Sequence, residues 1–415
     1  MLKKVFIQPQ FFASSQYAGR LYKWGSWLLL LLVLTAGCAQ AQAPDATYSE
    51  PLVISKGGTY TGNFRSTNSS TPVITIKTTE PVILQNCTLV GPGDLILANN
   101  GRVDLTVREC RGYGTTPTAD NTPRGPFLYM LQGKNLVLEH NYLETNRGIV
   151  LDRWAGDGSA GQTVKIRYNQ ALNLIGTSRN NTQGFSNFVL LNTILNLANM
   201  EVAWNQVINE PNKSRVEDNI NLSNSGGTPA SPARVHDNYV QGAYPLPATS
   251  TGFSGTGFTT DGDGTTPSTV SAFIEVDHNQ FVSTCNAGIN MAAGHDINVH
   301  DNRVVTSGFL SSGERLGLLS CGITPFNYYN SPASTFGNIR VADNTVGYAN
   351  FSGSNPHPNR NDYNLALATT VSGNVSLPPG LTVQTEQNEW TLWQQKLRQK
   401  GLVVGPLPIP KPASK

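Results

Sequence analysis

The segment Ile274-Glu275-Val276-Asp277-His278-Asn279 decides the fold, because its pattern returns along the chain. Two apolar residues stand five and three positions before an asparagine, and the residues between them are mostly polar. A pattern that recurs this often indicates a stack of similar structural units. Nine copies are present, two of them with cysteine in place of asparagine, and the anchor residues are Cys87, Cys110, Asn141, Asn169, Asn205, Asn238, Asn279, Asn302 and Asn344.

A second short apolar run lies between successive anchors. Its alternation of apolar and polar residues is typical of a strand with one buried side. Strands of three to five residues are too short to be stable alone, so the units must stack and bury one continuous core. Solenoids of helix pairs are excluded because these units lack long runs with a helical period. The runs begin at Leu95, Phe127, Ile149, Phe188, Ile220, Phe258, Ile289 and Ile323.

These two families of strands predict an all-β solenoid of about eight or nine coils over residues 51–384. With its asparagine corners and variable coil length, the repeat resembles the right-handed parallel β-helix superfamily, which has the pectate-lyase-like fold. We expect the asparagine amides to bond to one another along the axis of the stack. The resemblance implies less about activity, because this fold hosts many chemistries.

A helical pattern follows the last repeat. Trp390, Trp393 and Leu397 have helical spacing, and Gly401 is a typical stop signal. The ends of a solenoid are open sheet edges that need a cover. We therefore predict a capping helix over residues 385–401, followed by a Pro-rich tail over 402–415.

The amino-terminal segment has the charge order of a secretory signal. Residues 1–23 carry four basic residues and no acid, and an apolar run follows. The segment ends in Leu34-Thr35-Ala36-Gly37-Cys38, which resembles a bacterial lipobox. This pattern predicts a signal peptide over 1–37, a lipid on Cys38 and a tether over 38–50, with the protein anchored at the cell envelope. The Ala-x-Ala pattern over 39–43 offers ordinary cleavage and secretion as the alternative.

The amino-acid composition limits the classes of molecule that the protein is expected to bind. Charged residues make up only 13% of the chain, with a net charge of +2, about half the usual ~25%. A nucleic-acid footprint is therefore not expected. We expect a monomer whose partner is a polysaccharide and whose contact with membranes is limited to a lipid on Cys38.

Two cysteines occupy equivalent repeat positions. Cys87 and Cys110 should lie about one strand spacing apart, ~4.8 Å, which permits either a disulfide or a stack of two buried thiols. No metal-type Cys/His spacing is present, so neither a metal site nor a cofactor is predicted. The Asp261-Gly262-Asp263-Gly264 segment leaves calcium as the weaker alternative to a turn.

The candidate site consists of acids that fall outside the repeat pattern. Asp218 and Asp261 lie next to consecutive strands of the second family, and the loop with His295 follows the next one. We predict that these three are catalytic, with Asp263 as a second-choice acid. In the second family, an outward polar row is expected to contain Asn221, Thr259, Asn290 and Thr324. The predicted substrate-binding residues are Asn221, Asn290, Arg153 and Trp154.

Polar groups and carboxylates beside aromatic rings suit sugars. The sequence thus favours an extracytoplasmic carbohydrate-active enzyme, which is either a glycoside hydrolase with two carboxyls or a polysaccharide lyase with a base and a cation. The alternative is a non-catalytic cell-surface protein that binds glycans or mediates adhesion.

Overall fold

The strands of the repeat wind into a stack of coils with three faces. A computed structural model describes residues 43–182, 184–252, 255–317, 319–350 and 359–407. The predicted signal peptide, Cys38 and the end of the Pro-rich tail lie outside these residues. Face 1 is a sheet of ten parallel strands: Leu52–Ile54, Ile74–Ile76, Ile96–Ala98, Leu128–Gly133, Ile149–Trp154, Val189–Asn192, Asp218–Ser223, Thr256–Asp261, Ala287–Met291 and Cys321–Pro325.

Faces 2 and 3 meet at the anchor residue of each coil. Gly58–Arg65 and Val82–Gly91 are long strands that run through both faces. Face 2 continues with Asp104–Arg108, Asn135–Glu139, Val164–Arg167, Glu201–Ala203, Ala233–His236, Ala272–Asp277, Gly294–His300, Phe336–Ala342 and Thr370–Ser372. Face 3 continues with Arg111–Gly114, Tyr142–Glu144, Gln170–Leu172, Gln206–Ile208, Tyr239–Ala243, Gln280–Thr284, Arg303–Thr306, Thr345–Tyr348 and Val375–Ser376.

The core runs through the centre of the stack. On face 2, Ile166, Val202 and Val235 pair in register with one another, and the row continues to Val341. These side chains are buried, while their neighbours along each strand are more exposed. Each coil thus buries its apolar residues against the coils before and after it, which short strands need for stability. The predicted all-β parallel solenoid is confirmed.

An asparagine ladder follows the corner between faces 2 and 3. The Nδ2 of Asn141 donates to the Oδ1 of Asn169 at 2.9 Å, and the same step repeats at 2.9–3.0 Å as far as Asn374. The backbone N–H of each donor asparagine bonds to the same Oδ1. The ladder confirms the predicted alignment and adds Asn374 as an anchor. Sequence analysis missed Asn374 because Thr369 takes the first apolar position of its repeat.

The residue before each anchor, rather than the anchor itself, adopts the left-handed conformation. All ten of these residues have φ between 52° and 64°. For the five that are not Gly, Asn or Asp, a side chain makes this backbone unfavourable by roughly 1–2 kcal/mol, so the ladder bonds and core packing must hold the corner. The residues are Asn86, Glu109, His140, Tyr168, Trp204, Asp237, His278, Asp301, Asp343 and Gly373.

The carboxy-terminal helix spans Val383–Lys400 and packs along the side of the stack. Thr382 caps its first turn, and Gly401 ends it at φ 65°. Trp393 stacks on Trp204 and Tyr239, with ring centroids 6.3 and 5.9 Å apart, and Glu389 bonds to Arg303. The helix predicted as a cap over the end therefore covers several coils of face 3, because its apolar stripe matches aromatic residues there. Within the described residues, the structure has no helix with the length and apolar character that a membrane span requires.

Candidate functional site

The predicted polar row exists on face 1. Asn221 pairs with Thr259, Thr259 with Asn290, and Asn290 with Thr324. In the earlier coils the same position holds Leu97, Tyr129, Val150 and Leu190. Thr75 occupies the same position further back, so this row is mostly apolar before Asn221 and continuously polar from Asn221 onward.

A groove lies over these later coils. It encloses about 660 Å³, within the range of ~300–1,000 Å³ for small-molecule clefts. Thr259, Asn290 and Thr324 line its floor. Glu217 and Asp218 come from the start of one face 1 strand, and Asp261 comes from the far end of the next. The groove thus contains three carboxyl groups, including both of the acids predicted to meet.

Asp218 is the most perturbed of these acids. Burial raises the pKa of Asp218 to about 7, and the nearby charges of Glu217 and Asp261 act in the same direction. The Thr256 hydroxyl and the Asn221 Nδ2 donate to its carboxylate, the latter at 3.1 Å, and oppose the rise. Near neutral pH this carboxyl is therefore divided between its protonated and ionised forms. Asn221 positions Asp218 and is itself only 6% exposed.

Glu217 stands beside Asp218 and was not among the predicted site residues. Burial and the charge of Asp261 raise the pKa of Glu217, while Arg147 and Arg215 oppose the shift. Glu217 could have been found from the sequence, because it is an acid directly before Asp218 at the start of a face 1 strand. Mutual repulsion among closely placed carboxyls favours one of them remaining protonated.

An aromatic loop forms the wall near Asp261. The Tyr329 hydroxyl donates to the Asp261 Oδ1 at 2.5 Å, and the Gly262 N–H donates to the same oxygen at 2.8 Å. Tyr328 and Phe326 are 66% and 53% exposed in this loop. Large exposed aromatic rings beside a polar groove suit the apolar faces of sugar rings. The sequence signal was the cluster Phe326-Asn327-Tyr328-Tyr329, which follows a face 1 strand.

Two amide oxygens in the polar row have no partner. The Oδ1 atoms of Asn221 and Asn290 are buried and accept no hydrogen bond. Buried polar atoms are nearly always paired in proteins, so each unpaired one needs an explanation. Asn290 lines the floor of the groove, but its Oδ1 is itself buried, so the side chain must turn before this oxygen can accept a bond from a ligand.

His295 is not part of the groove, contrary to prediction. Its strand, Gly294–His300, belongs to face 2, because the chain turns the corner directly after Met291. The His295 ring contacts Asp296 and the Pro267 carbonyl oxygen and packs edge-on against Phe273. The structure therefore does not bring His295 into the lining of this groove.

Asp263 lies beyond the groove lining in an exposed loop. Its carboxylate accepts a bond from the Asn224 side chain at 3.3 Å. The segment Asp261–Gly264 consists of the end of a face 1 strand and an irregular loop. A set of three side chains with ligand atoms within 4.8 Å of one another does occur among the described residues, but on face 2 at Glu275, Asp277 and His300.

Arg153 and Trp154 also lie outside the groove lining. Their strand is three face 1 strands away from Thr256–Asp261, which corresponds to ~14 Å. Arg153 pairs with Asp152, and the Trp154 Nε1 donates to the Gln162 carbonyl oxygen while its ring packs against the core. The structure therefore does not bring these two residues into the groove with Asp218 and Asp261.

Cys87 and Cys110 are free, buried thiols in the structure. The Cys87 N–H donates to the Cys110 Sγ at 3.4 Å, and the Cys110 N–H donates to Asn141 Oδ1 at 2.9 Å. The stack of two thiols, one of the two alternatives, thus continues the asparagine ladder toward the amino-terminal coils.

Comparison with known proteins gives no relative for this chain. No family model matches it, and neither a curated protein nor a solved structure does.

Proposed function

We propose that this protein is a glycoside hydrolase that cleaves a polysaccharide in the groove of face 1. The observation that carries the proposal is the set of three carboxyl groups, in which Asp218 has a pKa raised to about 7. Hydrolysis of a glycosidic bond uses one carboxyl as acid and a second as base or nucleophile. A carboxyl with a pKa near 7 is suited to donate a proton near neutral pH.

The lining supports an uncharged substrate. Of the described residues that line the groove, none is Lys, Arg or His. A lyase needs a cation to stabilise the charge that develops on a uronate, and three acids would repel such a substrate. Hydrolysis of a neutral polysaccharide is therefore favoured over elimination.

The residues divide the steps of the reaction between them. Asp218 donates its proton to the glycosidic oxygen as the bond to the anomeric carbon breaks. Asp261, held by Tyr329 and Gly262, either takes a proton from the water that attacks the anomeric carbon or attacks this carbon itself, in which case water then releases the sugar from the enzyme. Asn290 and Thr259 bind sugar hydroxyls, and Tyr328 offers a ring face. From the resemblance of the repeat, we also propose that the chain belongs to the pectate-lyase-like superfamily.

A screen on a panel of neutral and acidic polysaccharides tests this function. The expected product is a new reducing end from a neutral polysaccharide, without the absorbance of an unsaturated uronate. Asp218→Asn and Asp261→Asn should each lower the rate at least 100-fold. Asp152→Asn is the matched control, since Asp152 lies in the same register row as Asp261 but outside the groove lining.

Two results would reject the proposal. Unsaturated products would indicate a lyase. Binding of a polysaccharide without any cleavage would indicate the non-catalytic glycan-binding alternative.

Export is proposed from the amino-terminal sequence alone. The basic segment, the apolar run and Leu34-Thr35-Ala36-Gly37-Cys38 support a lipid on Cys38. Cys38→Ser should then shift the protein from the membrane fraction to the soluble fraction in a bacterial host. Unchanged fractionation and processing would support ordinary secretion.

A further inference from the structure

Face 2 has a cluster of metal-ligand atoms that the proposed reaction does not use. Glu275 and Asp277 lie two residues apart on one strand, so both side chains point to the same side. Asp277 pairs in register with His300 on the next coil. One ligand atom from each of the three side chains lies within 4.8 Å of the other two. The stacking of coils thus brings an imidazole and two carboxylates together.

The geometry suits a small divalent ion. The His300 Nε2 is 3.0 Å from the Glu275 Oε1, close to the ~3.4 Å between two ligand atoms in a tetrahedral zinc site with bonds of about 2.1 Å. The other ring nitrogen, Nδ1, is 2.7 Å from the Asp301 carboxylate. A carboxylate on the second nitrogen is the usual support for a metal-bound histidine.

His236, which pairs in register with Asp277 from the coil before it, belongs to an equivalent Glu–His pair. The His236 Nε2 is 3.0 Å from Glu201, and its Nδ1 is 2.8 Å from Asp237, which repeats the arrangement around His300. The residue paired with His236 on the preceding coil is Ala203, whereas the residue paired with His300 is Asp277. A Glu–His pair between coils is therefore part of the architecture. At His300 this pair is joined by Asp277, whose carboxylate also contacts Arg234 and, at 2.8 Å, the His278 Nδ1.

The cations around the two histidines differ as well. Glu201 is held by both Lys165 and Arg167, at 3.2 and 3.3 Å. Near His300, Arg234 approaches Asp277 at 3.3 Å and Glu275 at 3.9 Å. The Arg234 side chain is 46% exposed, so it can move into solvent and leave its place to another cation.

We propose that Glu275, Asp277 and His300 bind a divalent transition-metal ion of the Zn²⁺ type, which links two adjacent coils. Imidazole and carboxylate ligands suit such an ion, and three protein ligands leave one position for water. The ion displaces the Arg234 guanidinium from Asp277. The site is independent of the groove, because it lies on another face and shares no residue with the groove lining.

Titration of the full-length, untagged and chelator-treated protein with ZnCl₂ in a calorimeter tests the proposal. We expect one ion per chain. His300→Gln and Asp277→Asn should each weaken binding at least tenfold, while Arg234→Gln should tighten it because the competing cation is gone. His236→Gln is the matched control and should leave the affinity unchanged. Circular dichroism establishes that each variant is folded.

A second measurement keeps a destabilised variant informative. Zn²⁺ should raise the melting temperature of the wild type and of His236→Gln, but not that of Asp277→Asn. Absence of binding by the wild type would overturn the proposal. An equal loss in His236→Gln and His300→Gln, or weaker binding by Arg234→Gln, would overturn it too.

Discussion

Replacement of Asn205 by alanine should show how much the asparagine ladder stabilises the fold. The Asn205 Nδ2 donates to the Ile166 carbonyl oxygen and to the Asn238 Oδ1, both at 2.9 Å. Its Oδ1 accepts from the backbone N–H and the Nδ2 of Asn169, at 3.0 and 2.9 Å. The side chain is completely buried, so water cannot replace these bonds.

The expected loss in the free energy of unfolding is about 3 kcal/mol. A typical net hydrogen bond contributes about 0.5–1.5 kcal/mol, and a buried group left without its partner costs about 1–3 kcal/mol. Asn169 Nδ2 keeps bonds to two carbonyl oxygens, and Asn238 Oδ1 keeps the Asn205 N–H. The loss therefore comes mainly from the Asn169 N–H and the Ile166 carbonyl oxygen, and it stays below the sum over all four bonds.

Asn374→Ala is the matched control. Asn374 makes the same kinds of bond at the end of the ladder, but it is only half-buried, so water can take the place of its side chain. Its replacement should cost about 1 kcal/mol or less. Urea unfolding followed by circular dichroism gives both values. If Asn205→Ala costs no more than Asn374→Ala, the ladder is a consequence of the fold and not a source of its stability.

Two further predictions concern the buried acids of the carboxy-terminal helix. Burial raises the pKa of Glu386 from 4.5 to about 7. The contribution of this side chain to the free energy of unfolding is therefore complete below about pH 4.5, and it is lost as pH rises through 7. Relative to Glu386→Gln, the wild type should lose about 3 kcal/mol between pH 4.5 and 8 in urea unfolding, and parallel pH profiles would contradict this. Glu389→Ala leaves Arg303 without its carboxylate partner; because the Arg303 side chain is 33% exposed and water can solvate it in part, the loss should be about 2 kcal/mol, below the full cost of breaking a buried pair. The exposed Glu314→Ala, as control, should change stability by less than about 0.5 kcal/mol, and equal losses would contradict the role of the buried pair.

The register of the repeat could be predicted from the sequence because stacked coils align whatever the lengths of their loops. Alignment of the second family of strands by its first apolar residue placed Asn221, Thr259, Asn290 and Thr324 in one row, and the row is present. Asp218 and Asp261 could be placed on consecutive strands of face 1, but they lie at opposite ends of those strands, five residues apart in register. The coil to which a residue next to a strand belongs can thus be predicted once the strand itself has been placed.

Features beyond the strands could not be predicted in the same way. His295 was misplaced because the pattern does not show where the chain turns from face 1 to face 2. The loop with Tyr328 and Tyr329 has no periodicity, and its approach to Asp261 depends on tertiary contacts. The apolar stripe of the helix predicts burial but not the surface that buries it, so its position beside Tyr239 was not evident.

The protonation state of Asp218 provides the most direct test of the central claim that this carboxyl is the proton donor of the groove. Carbon-13 NMR of protein labelled at aspartate carboxyls can follow its titration without any substrate, with the signal assigned by its loss in Asp218→Asn. We predict a pKa of about 7 for Asp218, and a fall of this value in Asp261→Asn, because a like charge is removed. A pKa of 4 or below in the folded wild type would contradict the assignment of Asp218 as the acid.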